Sequence, residues 1–182
     1  MIPNPHKFMV TAIDMFYRQS KIANKPSDPY TLGFDPSRFY TNGHCAEFAY
    51  VLADFAAKKG LEPSMTIMFR NRINAKSGEA IEKILSHCIV EMDGQAYDIC
   101  GDDARMTWFI KSGYMNQDNN EERSEWEFVS IPIADREDAF KQLQEHCARH
   151  NVPFSRDQVE KDQAIFNSLT EKSKTKDCDL GL

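Results

Sequence analysis

The sequence lacks any apolar run near the about 18–20 residues that a helix needs to cross a bilayer. Its first residues have neither the basic start nor the long apolar centre of a secretory signal. Basic residues are also few: 22 Lys and Arg stand against 28 Asp and Glu, so the charge pattern of a nucleic-acid-binding protein is missing. These absences predict a cytoplasmic protein with no membrane or nucleic-acid partner, although delivery by other machinery remains compatible with them.

Paired-cysteine motifs and phosphate-binding glycine motifs are missing too. The 5 cysteines are odd in number and widely spaced, which argues against a disulfide framework and agrees with a reducing compartment. Imidazole stands beside thiol at His44-Cys45, His87-Cys88 and His146-Cys147, but no C-x-x-C or H-x-x-x-H spacing accompanies them. Since neighbouring strand residues point to opposite faces, zinc binding is kept only as an alternative. We therefore predict no cofactor and no metal.

At 182 residues the chain suits one domain with its own core, predicted over residues 1–169. Residues 170–182 are rich in Glu, Lys, Ser, Thr and Asp, a composition that predicts a disordered tail.

Apolar spacing predicts helices over 5–20, 78–85, 105–110, 135–150 and 157–169, and strands over 65–69 and 126–131. Pro132 is expected to place the end of the second strand at a sheet edge. The helix over 135–150 is expected to have four inward residues: Ala139, Phe140, Leu143 and Cys147. The helix over 157–169 is expected to have Ser155 as its cap and to be anchored by Val159, Ala164 and Ile165. The mixture of helices and strands predicts an α+β fold.

A turn-forming pair, Asn42 and Gly43, leads into a cysteine that begins an amphipathic helix. From Cys45 apolar residues recur at the i, i+3, i+4, i+7 spacing of a helix with one buried face, and the pattern ends at Gly60. A thiol at a helix N-terminus lies beside unsatisfied backbone N–H groups and the positive end of the helix dipole, and both favour the thiolate. Cys45 is therefore a candidate nucleophile, with a buried apolar role as the alternative.

Two β-prone segments flank Asp93 and Gly94, the strongest short signal for a two-residue hairpin loop. With that loop, His87 lies opposite Cys100 and shares one face of the ribbon with Asp98. His87 and Asp98 are then diagonal neighbours, about 7–8 Å apart at the backbone and within hydrogen-bonding reach. The hairpin therefore predicts a base and an orienting acid side by side.

Cys45, His87 and Asp98 together form an ordered set of nucleophile, base and orienting acid. A slip of the hairpin by one residue would turn Asp98 away from His87, and Asp102 or Asp103 would be the replacement. The mechanism that follows is attack of the thiolate on a carbonyl, with the imidazolium returning its proton to the leaving group.

Residues just before the nucleophile are candidates for oxyanion or substrate binding. The Cys45 backbone N–H is the first expected donor to the oxyanion. Asn42 or His44 supplies the second donor, unless both serve only the turn. Tyr40, with Tyr30, Phe34 and Phe39 of the 21–41 loop, either lines the approach to the thiol or pins that loop to the core.

Three segments resemble the papain-like cysteine hydrolase superfamily, in particular its transglutaminase-like and NlpC/P60-type branches. Residues 43–49, GHCAEFA, resemble the nucleophile motif of that superfamily; residues 86–90 resemble its histidine strand and residues 97–101 its third-residue strand. The resemblance implies a nucleophile helix packed on an antiparallel sheet, with extra C-terminal helices here. It also implies that the strand after the nucleophile helix pairs with the histidine strand, so residues 71–85 are expected to be an insertion over the site that acts as a lid or specificity loop. Transglutaminases usually have an aromatic residue after the cysteine, where this chain has Ala46, so hydrolysis is favoured over acyl transfer to amines.

The expected activity is a cysteine-dependent hydrolase or acyl transferase that acts on an amide bond, as a protease, amidase or glutamine deamidase. A protein or peptide substrate suits the acidic composition, and the oligomeric state is not readable from the sequence. The alternative is a catalytically inactive binding module of the same fold, in which the Cys45 thiol is a core residue.

Overall fold

The structure, a computed structural model, describes residue 2 and residues 4–25, 33–102 and 121–175, the side chains of 170–175 excepted. It is an α+β fold built on a five-stranded antiparallel sheet with the strand order β4-β3-β2-β1-β5. The helices are α1 (Pro5–Ala23), α2 (Pro36–Thr41), α3 (Cys45–Lys58), α4 (Arg136–Arg149) and α5 (Arg156–Thr175). The strands are β1 (Ser64–Asn74), β2 (Ala80–Met92), β3 (Gln95–Asp98), β4 (Gly101–Asp102) and β5 (Glu122–Pro132).

Helix α3 is the central helix of the fold, and it packs mainly on β2 and α5. It begins at Cys45, as predicted, and its residues 45–56 are all buried. The helix ends in a Schellman motif, in which the Gly60 N–H donates to the Ala57 carbonyl and the Leu61 N–H to the Ala56 carbonyl. Gly60 has φ +81°, a left-handed conformation that favours glycine, so the helix ends before this residue, as predicted.

Aromatic side chains join α1, α3 and α5 on one side of the sheet. Phe16 of α1 contacts Phe48 of α3 at 5.1 Å between ring centroids and stacks on Phe166 of α5 at 4.7 Å. Phe55 of α3 stacks on the same Phe166 at 4.6 Å and on Phe8 of α1 at 5.7 Å. Aromatic pairs at such distances stabilise a core beyond their buried area, so this junction fixes how α3 lies against its neighbours.

A long hairpin of β1 and β2 takes the place of the predicted insertion over residues 71–85. The predicted short helix over 78–85 is wrong, because most of this segment is strand β2. Arg72 of β1 forms ion pairs with Glu82 of β2 at 2.8 Å and with Glu122 of β5 at 2.7 Å. These ion-pair partners are distant in sequence, and their cross-strand pairing outweighs a weak local helix pattern. A periodicity analysis compares only nearby residues, so it cannot include such pairing.

Strand β5 forms one edge of the sheet, as expected from the proline at its end, and it is longer than the predicted strand over 126–131. Helix α4 follows Asp135, whose carboxylate accepts hydrogen bonds from the Glu137 and Asp138 N–H groups. The helix predicted over 135–150 is confirmed, and its four predicted inward residues are buried: Ala139, Phe140, Leu143 and Cys147.

Helix α5 begins beside Ser155, whose hydroxyl accepts the Gln158 N–H at 3.1 Å, as the predicted cap requires. Its backbone continues to Thr175, beyond the predicted end at residue 169 and into the segment predicted as a disordered tail. Val159 is buried as expected, but the predicted anchor Ala164 is exposed. Phe166 and Leu169 are the buried residues of this turn of the helix instead.

The remaining predictions lie outside the described residues: the helix over 105–110, Asp103, Tyr30 and the tail beyond residue 175. In the part of the chain that the structure describes, no helix has both the length and the apolar character needed to span a bilayer.

Candidate active site

Cys45 is the first residue of α3, and only 5% of its surface is exposed. The chain turns into this helix at Gly43, whose φ of +109° favours glycine. The N-cap residue is His44, and its side chain makes no capping hydrogen bond to any described residue. Because backbone N–H groups in the first turn of a helix have no intrahelical acceptor, this end of α3 favours negative charge on the Cys45 sulfur.

The hairpin of β2 and β3 holds His87 beside Asp98. The two strands pair in the predicted register, with Met92 opposite Gln95. His87 Nε2 and Asp98 Oδ2 are 3.1 Å apart, and both side chains are almost fully buried. The predicted diagonal contact between base and acid is therefore present.

A second hydrogen bond fixes the Asp98 carboxylate. Its Oδ1 accepts the Cys100 N–H at 2.7 Å, an Asx turn that reverses the chain at residues 99–100. Asp98 therefore pairs with Gly101 of β4, and Cys100 is exposed. The prediction that Cys100 lies opposite His87 is wrong, because an Asp two residues before an N–H forms a local turn in preference to extending the strand.

Of the rival carboxylates, Asp102 lies on β4 and faces His6, with its Oδ2 3.4 Å from His6 Nε2. The His6 Nδ1 in turn lies 3.1 Å from the Tyr97 hydroxyl. Asp98 is thus the acid that contacts His87, while Asp102 belongs to a separate polar cluster.

The start of α3 and the hairpin are also coupled electrostatically, because Cys45 and His87 each shift the pKa of the other. Burial lowers the pKa of His87, but hydrogen bonds to Asp98 and to Cys45 outweigh it and raise that pKa to about 9. Hydrogen bonds from the Cys88 thiol and from the His87 ring hold the pKa of Cys45 well below its usual value, against the desolvation of the sulfur. Both shifts favour the thiolate form of Cys45 and the imidazolium form of His87.

Cys88 is a member of this site that the sequence analysis missed. The neighbouring Cys45 thiol and burial raise the pKa of Cys88 well above its usual value. Strand alternation predicts that His87 and Cys88 lie on opposite faces, yet both lower the pKa of Cys45. The pairing with β1 shifts register beside them, with Met68 opposite His87 but Phe69 opposite Leu85. Such β-bulges bend a strand and redirect its side chains, and a single sequence gives no signal for them.

The three oxyanion or substrate candidates lie in different surroundings. The Tyr40 hydroxyl donates a 2.6 Å hydrogen bond to Asp162, so this ring is part of the core that pins the loop. Asn42 is exposed at the end of α2. His44 stacks on Phe39 with ring centroids 4.0 Å apart, and its Nδ1 lies 3.4 Å from a Glu47 oxygen.

Glu47, two residues after Cys45, is a further buried carboxyl group that the sequence did not indicate. It has no exposed surface, its Oε1 accepts the Ser155 N–H at 3.2 Å, and its Oε2 has no hydrogen-bond partner among the described residues. Burial raises the pKa of Glu47. Asp162 is similarly buried, with its Oδ2 unpartnered within the same described ranges, and burial raises its pKa to about 6.

Within residues 4–25, 33–102 and 121–175, no group of three or more His, Cys, Asp or Glu side chains is arranged to hold a metal ion. The geometry instead has the chemistry of an activated thiol: a sulfur at a helix start, a ring that can carry its proton, and a carboxylate that orients the ring. No family model, no curated protein and no solved structure matches this chain. The fold and the site define an α+β protein with a buried Cys-His-Asp arrangement.

Proposed function

We propose that the protein is a cysteine-dependent hydrolase that acts on an amide bond of a protein or peptide. The observation that carries the proposal is the buried pair of His87 and Asp98, 3.1 Å apart, on the hairpin against which the helix of Cys45 packs. Buried polar groups cost stability unless they are hydrogen-bonded to a partner. We assign Cys45, His87 and Asp98 the roles of nucleophile, base and orienting acid. Its helix–strand–strand order also underlies the proposed membership of the papain-like superfamily.

In the proposed reaction the Cys45 thiolate attacks the carbonyl carbon, and the C=O electrons move to the oxygen. The first turn of α3 contributes the Cys45 N–H to this oxyanion, and removing such a donor from comparable sites costs about 2.7–4 kcal/mol. His87 imidazolium gives its proton to the leaving amine as the C–N bond breaks. Water, deprotonated by the now neutral His87, then hydrolyses the thioester and restores the thiolate.

Asp98 has the role of a positioning residue. Its two oxygens are held by different partners, one by the His87 ring and the other by the Cys100 N–H. The carboxylate therefore keeps Nε2 of His87 protonated and leaves Nδ1 as the ring nitrogen for the thiol. An orienting acid of this kind does not exchange the proton itself.

Substitution of the nucleophile and the base tests the proposal. Cys45→Ala and His87→Ala should each lower turnover by at least about 10³-fold, because the rate enhancement from catalytic residues that act as a unit is lost when one of them is removed. Cys147→Ala, which removes another buried thiol, is the matched control and should keep its activity. Intact-mass analysis of casein and other candidate proteins after incubation distinguishes the outcomes, since new fragments indicate proteolysis and a gain of about one dalton per site indicates deamidation.

Undiminished turnover in folded Cys45→Ala or His87→Ala, with folding checked by thermal denaturation, would remove the proposed triad. The same spectra report on transamidation, which adds the mass of an amine to the substrate.

The burial of Cys45 favours a second candidate, a binding module with an unreactive thiol. Only 5% of the Cys45 surface is exposed, whereas Cys100 is an exposed thiol. Iodoacetamide labelling of the native protein separates the two candidates. An activated thiolate is alkylated at pH 6 ahead of Cys100, whereas a core thiol reacts only after denaturation.

A further inference from the structure

A cavity of about 330 Å³ lies between α1, the start of α2 and the turn that joins β3 to β4. One face of α1 lines it with four residues at helical spacing: Val10, Ile13, Asp14 and Tyr17. Residues 99–102 of the turn form another wall. Ligand pockets have volumes of about 300–1,000 Å³, so this cavity has the size for one long side chain or a small molecule.

The walls of the cavity are apolar in one part and acidic in another. Val10, Ile13 and Ile99 are its aliphatic residues, and Ile13 and Ile99 are each 3% exposed. The charged residues among those that line it are Asp14 and Asp102, which are both acidic and exposed. The cavity therefore suits a ligand with an alkyl chain and a positively charged end.

Both carboxylates have partners that a ligand can replace. Asp14 forms an ion pair with Arg18 at 3.0 Å, and Asp102 lies 3.4 Å from His6. All four side chains are about half exposed or more, and ion pairs this exposed contribute little stability. Exchange of these partners for a ligand cation is therefore cheap.

A third carboxylate lies directly behind two lining residues. Asp35 Oδ1 accepts hydrogen bonds from the Tyr17 hydroxyl at 3.3 Å and from the Ser37 hydroxyl at 2.7 Å. Both hydroxyl groups thus have their protons directed to Asp35, which leaves their oxygen lone pairs as acceptors for a cationic donor. The hydrogen-bonding pattern at this side agrees with the acidic walls.

One hydrogen bond links the cavity to the candidate active site. Cys100 lines the cavity, and its backbone N–H donates to Asp98 Oδ1 at 2.7 Å. The other oxygen of Asp98 lies 3.1 Å from the His87 ring. A ligand in the cavity would therefore lie against the same turn that holds the orienting acid.

We propose that the cavity is a subsite for a lysine side chain of a protein or peptide. The alkyl chain packs on the aliphatic residues, and the ammonium group binds the carboxylates of Asp14 and Asp102. Carboxylates on two different elements suit the compact ammonium group, whereas the planar guanidinium of arginine pairs best with one carboxylate through two parallel hydrogen bonds. That this lysine belongs to the substrate of Cys45 rests on the proposed function, but binding itself does not.

Alkylation of Cys100 tests the inference, because this exposed thiol lines the cavity. The full chain is treated with iodoacetamide at rising concentrations of Nα-acetyl-lysine methylamide, and labelling is followed by peptide mapping. Cleavage after Glu91 separates Cys100 from Cys88. We expect half-maximal protection at about 1–10 mM, the range for a ligand this small. At saturation the labelling rate of Cys100 should fall at least about fivefold, because a bound ligand fills the cavity.

A matched ligand and matched variants sharpen the test. Nα-acetyl-norleucine methylamide has the same alkyl chain without the ammonium group and should protect at least about tenfold less well. Asp14→Asn and Asp102→Asn should each raise the half-protection concentration about threefold to tenfold. Asp157→Asn, which removes an exposed carboxylate on α5, is the control and should leave it unchanged. Thermal denaturation checks that each variant is folded.

Equal protection by the lysine and norleucine ligands would overturn the inference, as would stronger protection by Nα-acetyl-arginine methylamide. Protection that the double variant of Asp14→Asn and Asp102→Asn leaves unchanged would also overturn it. The subsite and the hydrolase fail separately. An active hydrolase whose Cys100 no lysine ligand protects contradicts only the subsite, and a protein that binds lysine but hydrolyses nothing contradicts only the proposed function.

Discussion

Replacing Asp98 with asparagine tests the electrostatic basis of the site. An asparagine amide has one acceptor oxygen, whereas the Asp98 carboxylate accepts from both His87 and the Cys100 N–H. Whichever way the amide is oriented, one of these hydrogen bonds is lost, and so is the buried negative charge. The His87 imidazolium should therefore be less stable in Asp98→Asn.

The expected magnitude follows from the strength of a hydrogen bond to a charged group, about 1.5–3 kcal/mol. At about 1.36 kcal/mol per pKa unit, this corresponds to a fall of about 1–2 units. The pKa of His87, which the structure raises to about 9, should therefore fall to between about 7 and 8. The alkaline limit of turnover, where the imidazolium loses the proton that the leaving amine needs, should move down by the same amount.

NMR of the ring protons across pH measures this directly, with the His87 signal assigned from the spectrum of His87→Ala. Asp102→Asn is the matched control, because Asp102 faces His6 rather than His87. It should leave the His87 titration unchanged. A titration midpoint in Asp98→Asn equal to that of the native protein would refute the reasoning, since His87 would then owe its charge to something other than Asp98.

The buried acid Asp162 and the core of α3 give two further predictions. Burial raises the pKa of Asp162 from 3.8 to about 6, so this group favours the folded state below pH 3.8 and costs stability as pH rises through about 6. Asp162→Asn should therefore raise the free energy of unfolding at pH 8 by up to about 3 kcal/mol. Asp157→Asn, at an exposed carboxylate, is the control and should leave that free energy unchanged. Equal urea midpoints at pH 8 in the two variants would contradict the prediction. Leu52→Ala, at a side chain with 0% exposure, should lower the free energy of unfolding by about 2–5 kcal/mol. Ile22→Ala, at a side chain with 65% exposure, is the control and should lower it by less than about 1 kcal/mol. Similar losses in the two variants would be inconsistent with the described core.

Local patterns in the sequence were enough for the elements that carry the proposed triad. The start of α3 at Cys45 follows from a turn pair and an apolar repeat, and the register of β2 with β3 follows from the two-residue loop at Asp93. Both signals act over a few residues, and the packing of distant segments agrees with them here. Because side chains alternate along a strand, the loop also specified that His87 and Asp98 share a face.

Features that depend on distant partners were mispredicted or missed. The outer half of the β1–β2 hairpin reads as polar and helical along the chain, but ion pairs between strands, such as Arg72 with Glu122, make it part of the sheet. The turn at Cys100 reflects one hydrogen bond from Asp98, which competes with the ladder that periodicity assumes.

The sequence by itself determined a cysteine at a helix start and a histidine with its acid on one hairpin, because periodicity and turn chemistry are local. Only the tertiary structure decided that the helix packs on the hairpin, and that Asp98 rather than Asp102 contacts His87. These contacts depend on how α3 packs on β2 and on a bulge set by the pairing with β1. Packing and register between distant segments are sums over many side chains, and no short stretch of the chain contains them.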